Sequence, residues 1–135
     1  MGVLKARDAV LIDTNILIDY LDGYSEPRAL LASVEGPAIS IVSWIEVLAG
    51  ARNEAEEALF KQFFEPWIVV PLDSEIADRA AHIRRQLRLK LPDAIILATA
   101  QLRHRKLLTR NTKDFNSEDA DTVIPYALSK PSKRN

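Results

Sequence analysis

Five short apolar runs, at residues 9–12, 38–42, 67–72, 107–108 and 122–124, are separated by stretches whose apolar residues recur at helical spacing. Nothing else in the chain limits the fold as much. Parallel strands need long crossover connections, usually helices, and short runs without polar alternation fit strands covered on both faces. The expected architecture is therefore α/β, a three-layer α/β/α sandwich around a central parallel sheet of about five strands. With 135 residues, 47% of them hydrophobic, the chain has enough apolar material for one domain and its core. Residues 1–128 are expected to form that domain, and 129–135, with Pro131 and mixed charge, a disordered tail.

Between the strands the helix signals are specific. Helices are expected at 15–21, ended by Gly23, and at 26–34, with Pro27 in the first turn. Ser43 is expected to cap a helix running to Arg52, and Asn53 another running to Phe64. Asp73 or Ser74 opens a helix whose stripe Ile76, Ala80, Ile83 and Leu87 reads as one buried face. Pro92 starts the last, through His104.

The first strand run stops at Asp13, Thr14 and Asn15 follow, and apolar residues resume at Ile16. In open α/β sheets, ligands bind beyond the carboxyl ends of the strands, near the point where strand order reverses, and the helices that follow begin on that edge. Asp13 ends the first strand, Glu46 is expected in the first turn after the second, Asp93 in the first turn of the Pro92 helix, and Asn111 and Asp114 just past the fourth strand. Thr14 and Asn15 can orient the Asp13 carboxylate. Each residue also has a plainer reading: Asp13 as a helix cap, Glu46 and Asp93 as partners of a helix dipole worth roughly 0.3–1 kcal/mol, Asp114 as a turn residue, Phe115 and Trp44 as packing. Together they raise a different problem, because like charges at about 4 Å repel by on the order of 4 kcal/mol at an effective dielectric near 20. A cation resolves it, and hard oxygen donors point to Mg²⁺ or Mn²⁺.

The absence of cysteine excludes disulfides, zinc-thiolate sites and cysteine nucleophiles and fits a reducing cytoplasm, and His82 and His104 fall on expected helices away from the acidic edge. No leader-like segment or apolar run of membrane-spanning length is visible, so a soluble chain is expected. Net charge is −1, yet residues 1–78 hold 5 basic and 14 acidic side chains, whereas 79–113 hold 10 basic residues and a single acid, Asp93. Such asymmetry can focus a polyanion on one side of a domain, although a solvated helix face reads the same way.

The blocks "LIDTNILIDYL", "SIVSWIEVLAGA" and "LPDAIILATAQLRHRKLLTRNTKDF" resemble, in order and spacing, those of PIN-domain ribonucleases, and within them the VapC-type toxins of toxin-antitoxin modules. That resemblance, spread over residues 10–125, implies a Mg²⁺- or Mn²⁺-dependent endoribonuclease, frequent homodimers and inhibition by a small cognate antitoxin. It carries Asp13, Glu46 and Asp93 over as three catalytic, metal-binding acids. Many relatives place an acid two residues after the strand-final threonine, here Thr109, where this chain has Asn111; others contribute the later acid, here Asp114. Asp114 is thus expected as the fourth ligand, with Thr14, Asn15, Thr109 and Asn111 in support. RNA contacts are expected from Arg84, Arg85, Arg88, Lys90, Arg110 and Lys113. The other readings are a catalytically silent RNA- or protein-binding module of the same fold, and a metal-dependent phosphatase of similar topology. Against the phosphatase, "IDTN" offers one acid where an acidic pair is usual.

Overall fold

The computed structural model describes residues 4–5, 7–115 and 121–128. The expected tail at 129–135 lies outside them. Five strands, β1 (Val10–Ile12), β2 (Ala38–Ser40), β3 (Ile68–Val70), β4 (Lys106–Leu108) and β5 (Thr122–Val123), form one sheet in the order β3-β2-β1-β4-β5. Every pairing is parallel, with Leu11 opposite Ala38 on one side and Leu107 on the other. The chain steps outward from β1 through β2 to β3, then returns to the far side of β1 with β4. Strand order therefore reverses between β1 and β4, which is where such sheets open a crevice.

Each strand sends alternate side chains to opposite faces, and both faces are covered. Val10, Ile12, Ile39 and Leu108 meet Ile16 and Leu17 of α1 (Thr14–Leu21), Val47 of α3 (Ile41–Ala49) and Phe60 and Phe64 of α4 (Glu54–Phe64) in one core. Leu30 and Leu31 of α2 (Ser25–Ser33) pack at its margin. Leu11, Ala38 and Leu107 meet Ile76, Ala80 and Ile83 of α5 (Ser74–Leu87) and the run Ala94–Ala98 of α6 (Leu91–Leu102) in the other. The three-layer sandwich is thus as expected. No helix among the described residues is long and apolar enough to cross a membrane.

The departures are local and have physical reasons. α3 begins two residues before Ser43: Ser40 is the cap, its hydroxyl accepting from Val42 N at 3.1 Å, so β2 passes into helix without a loop. Glu46 consequently sits in the second turn, away from the dipole end. Leu87, the fourth residue of the α5 stripe, is 58% exposed. It occupies the last helical position, after which Arg88 turns left-handed at φ +55° and Leu89, not Leu87, enters the core. α6 ends at Leu102, so His104 falls in the turn before β4 and not on the helix. α1 ends at Leu21 with Gly23 at φ +91°, a conformation few side chains tolerate. The Asn53 and Asp73 caps form as expected, accepting from Glu56 N and Ile76 N at 2.8 Å.

Candidate active site

Asp13 leaves β1 at the reversal point, and its amide donates to Leu108 O of β4 at 2.9 Å. Its carboxylate is 3% exposed and caps α1, Oδ1 accepting from Thr14 N at 2.8 Å. Oδ2 accepts from Thr109 Oγ1 at 2.7 Å and Asn15 Nδ2 at 3.3 Å. The capping and functional readings of Asp13 therefore coexist. Among the described residues all its donors are neutral and no salt bridge reaches it. Burial pushes the carboxyl up to about 6, against the pull of the Thr109 and Thr14 hydrogen bonds, and the charges of Asp93 and Glu46 push the same way.

The neighbouring acids are held by separate elements. Thr14 Oγ1 lies 2.8 Å from Glu46 Oε1 and 2.9 Å from Ser43 Oγ, tying α1 to α3 at the mouth of the site. Asp93, in the first turn of α6, is half-buried and raised by burial first, then by Asp114 and Glu46, with Lys90 pulling the other way. Past β4, Asn111 Nδ2 donates to Asp114 Oδ2 at 2.9 Å and Asp114 N donates to Asn111 Oδ1 at 3.2 Å, a closed turn that presents both. Asn111 N donates to Thr109 Oγ1 at 3.0 Å, which connects this turn to Asp13.

Asp13, Glu46, Asp93 and Asp114 thus share one electrostatic neighbourhood at one sheet edge, although among the described residues no group of three or more Asp, Glu or His side chains is arranged to hold a metal ion as it stands. Mutual repulsion opposes closing such a set without a counter-charge. The donor chemistry fits a hard divalent cation: four carboxylates, no sulfur, and a buried member whose charged form its surroundings disfavour. Both histidines are elsewhere and exposed, His82 on α5 and His104 at the opposite edge of the sheet.

The cations divide. Lys90 precedes α6, exposed, and acts on Asp93. Arg84 donates to Leu89 O at 3.2 Å, Arg85 reaches His82 Nδ1 at 3.4 Å, and Arg88 is the left-handed cap of α5; all three are exposed, as is Lys113 beside Asp114. Arg110 is different. Its guanidinium grips Asp19 with two hydrogen bonds, Nε to Oδ2 at 2.6 Å and Nη2 to Oδ1 at 2.9 Å, while its side chain stays 36% exposed. Phe115 and Trp44 pack in the two cores, as their plainer reading had it.

Ser43, Asp19 and Tyr126 join this neighbourhood only in the fold, through Thr14, Arg110 and Asp19 respectively. For Asp19 a signal existed: an acid on a helix whose other inward residues are apolar demands a partner. Tyr126 carried none.

A PIN-domain family model matches residues 10–118, and this chain belongs to the PIN-domain family. Within that family it groups with VapC proteins: it is 31% identical over 116 residues to Ribonuclease VapC1 of Methanocaldococcus jannaschii, 82% of each chain being covered. Among solved structures, it matches a toxin-antitoxin complex from Klebsiella pneumoniae at 42% identity with a TM-score of 0.82, over 89% of this chain and 100% of that one. FitAcB from Neisseria gonorrhoeae matches at 22% identity and a TM-score of 0.72, over 88% and 99%, which speaks for the fold alone.

Proposed function

We propose that this protein is a divalent-metal-dependent endoribonuclease acting as the toxin of a toxin-antitoxin module. The observation that carries this is Asp13, a buried carboxylate with no cationic partner among the described residues, at the reversal point of the sheet among three further acids. The likeness to Ribonuclease VapC1 and to the Klebsiella toxin-antitoxin complex supports the substrate class and the biological role.

Asp13, Glu46, Asp93 and Asp114 would hold Mg²⁺ or Mn²⁺, which supplies an acidified water and neutralises charge developing on phosphoryl oxygens. The protein's own part is to fix those oxygens and the phosphate. Thr109, Thr14 and Asn15 hold the Asp13 carboxylate in one orientation, and Thr14 does the same for Glu46. Lys90, whose charge acts on Asp93, would meet a backbone phosphate, and the exposed Arg84, Arg85, Arg88 and Lys113 would extend the basic track. Such contacts give affinity and salt dependence without base specificity.

The antitoxin is assigned to the cleft beside Glu46, a cavity of about 330 Å³ walled by Ile18, Leu21 and Val47, which suits an apolar anchor carrying a basic side chain toward the acids. A homodimer in the cytoplasm completes the proposal. The deciding experiment is the mapping of RNA ends after incubation with purified protein and Mn²⁺, beside an Asp93→Asn control. Metal-dependent 5′-phosphate ends, absent in the control, are expected. Equal cleavage by both proteins would dispose of this active site, and failure of wild type to bind Mn²⁺ in calorimetry would favour a silent module.

A further inference from the structure

The strongest feature outside the acidic site is the buried carboxylate of Asp19. It lies on α1, is 3% exposed, and has both oxygens occupied: Arg110 forks onto them, and Tyr126 Oη donates to Oδ2 at 2.7 Å. Three distant stretches meet there, the second turn of α1, the residue after the strand-final Thr109, and the segment after β5. Burial first, and then the Asp19 carboxylate, raise the Tyr126 phenol, which therefore stays a proton donor.

The connection to the site is direct. Arg110 stands between Thr109, which hydrogen-bonds Asp13, and Asn111, which closes its turn on Asp114. Arg110 N donates to Asn15 Oδ1 at 3.2 Å, while Asn15 Nδ2 reaches Asp13. The stretch from Thr109 to Asp114 is thus fastened to α1 and its cap at three places: Thr109 to the cap Asp13, Arg110 N to Asn15, and the Arg110 guanidinium to Asp19. A buried ion pair adds little net stability over a well-packed apolar pair, but its fork geometry fixes orientation. Arg110 has the side chain for this role; a lysine would offer charge without the fork.

We propose that Asp19, Arg110 and Tyr126 form a clamp of positioning residues that sets the Asn111–Asp114 turn against Asp13 and Asp93. Arg110 accordingly acts through Asp114 and does not contact RNA. This deepens the nuclease reading and rests on it for its catalytic consequence.

The test compares wild type with Arg110→Lys and with a milder variant that keeps both charged groups, Tyr126→Phe. Two readouts are taken: hydrogen exchange of amides 111–115, and RNA cleavage with Mn²⁺ as a function of salt. Exchange in 111–115 is expected to quicken in both variants while the β1 and β4 amides stay protected. For Arg110→Lys, kcat is expected to fall on the order of 10- to 100-fold, the range that small misplacements of reacting groups cost, with KM and its salt dependence nearly unchanged. Tyr126→Phe should lose a few-fold in kcat. The clamp is refuted by unchanged exchange in 111–115, or by a raised KM with a flatter salt dependence and intact kcat, the behaviour of a lost phosphate contact. If wild type neither binds Mn²⁺ nor cuts RNA, the nuclease reading fails by itself, and the exchange measurement still decides the clamp.

Discussion

Asp13 and Asp19 stand six residues apart at and within the same helix, roughly 9 Å along its axis, and each is 3% exposed. Their surroundings are opposite. Asp19 meets a guanidinium fork and a phenol, so its charge is cancelled inside the fold. Asp13 meets two hydroxyl- and amide-type side chains and one backbone amide, with Asp93 and Glu46 adding charge of its own sign. Burying an unpaired charge is costly. Among the described residues the fold pairs Asp19 with a cation and Asp13 with none, and the proposed metal site rests on that contrast.

The largest effects should come from Asp13. Asp13→Asn is expected to lower RNA cleavage by more than the about 10- to 100-fold that loss of a partner orienting a metal ligand costs. It should at the same time stabilise the fold at neutral pH. With a carboxyl raised from 3.8 to about 6, the native state holds the Asp13 proton more tightly than the unfolded chain does. Its contribution to stability is therefore full below pH 3.8 and is lost as pH rises to about 6, a loss of on the order of 3 kcal/mol. Urea midpoints measured from pH 4 to 7 should fall for wild type relative to the Asn variant. A variant equally destabilised at pH 7 would erase the contrast between the two aspartates.

Next in size is the effect of the metal. Mn²⁺ at about a hundred times its dissociation constant should stabilise wild type by roughly 2.7 kcal/mol, and Asp13→Asn markedly less. Equal shifts in thermal melts would place the ion elsewhere.

Asp19→Asn should do the reverse of Asp13→Asn. Removing the partner of a buried cation costs about 3–5 kcal/mol; with the Arg110 side chain 36% exposed, about 2 kcal/mol is expected. A lower urea midpoint at pH 7 is the check, and a gain would mean the pair is a burden. Tyr126→Phe, which removes one hydrogen bond and leaves the ion pair, should cost about 1 kcal/mol in the same titration.

How much of this was readable beforehand varies with the range of the interactions. The layers were readable because strand and helix periods are local, and so were the caps Asn53 and Asp73, which bond within three residues. Asp13, Asp93 and Asp114 were readable as candidates because strand ends and helix starts locate an edge. The start of α3 is not legible in the sequence, because Ser40 and Ser43 are equally good caps in a one-dimensional string, and in the fold Ser40 is the cap. A helical stripe does not announce where the helix leaves the core, so Leu87 reads as buried and is exposed.

Arg110 is the clearest case. In the sequence it is one cation among ten between residues 79 and 113, next to two site residues, and so reads as an RNA contact. Its partner is 91 positions away. The sequence by itself determined a parallel, helix-covered sheet with acids at its carboxyl edge, because these follow from short unbroken apolar runs and the helical spacings between them, each set over a few residues. Which buried acid is paired with a cation among the described residues, and which is not, was decided only by the tertiary structure, since charge pairing depends on distance in space between groups that no local pattern relates.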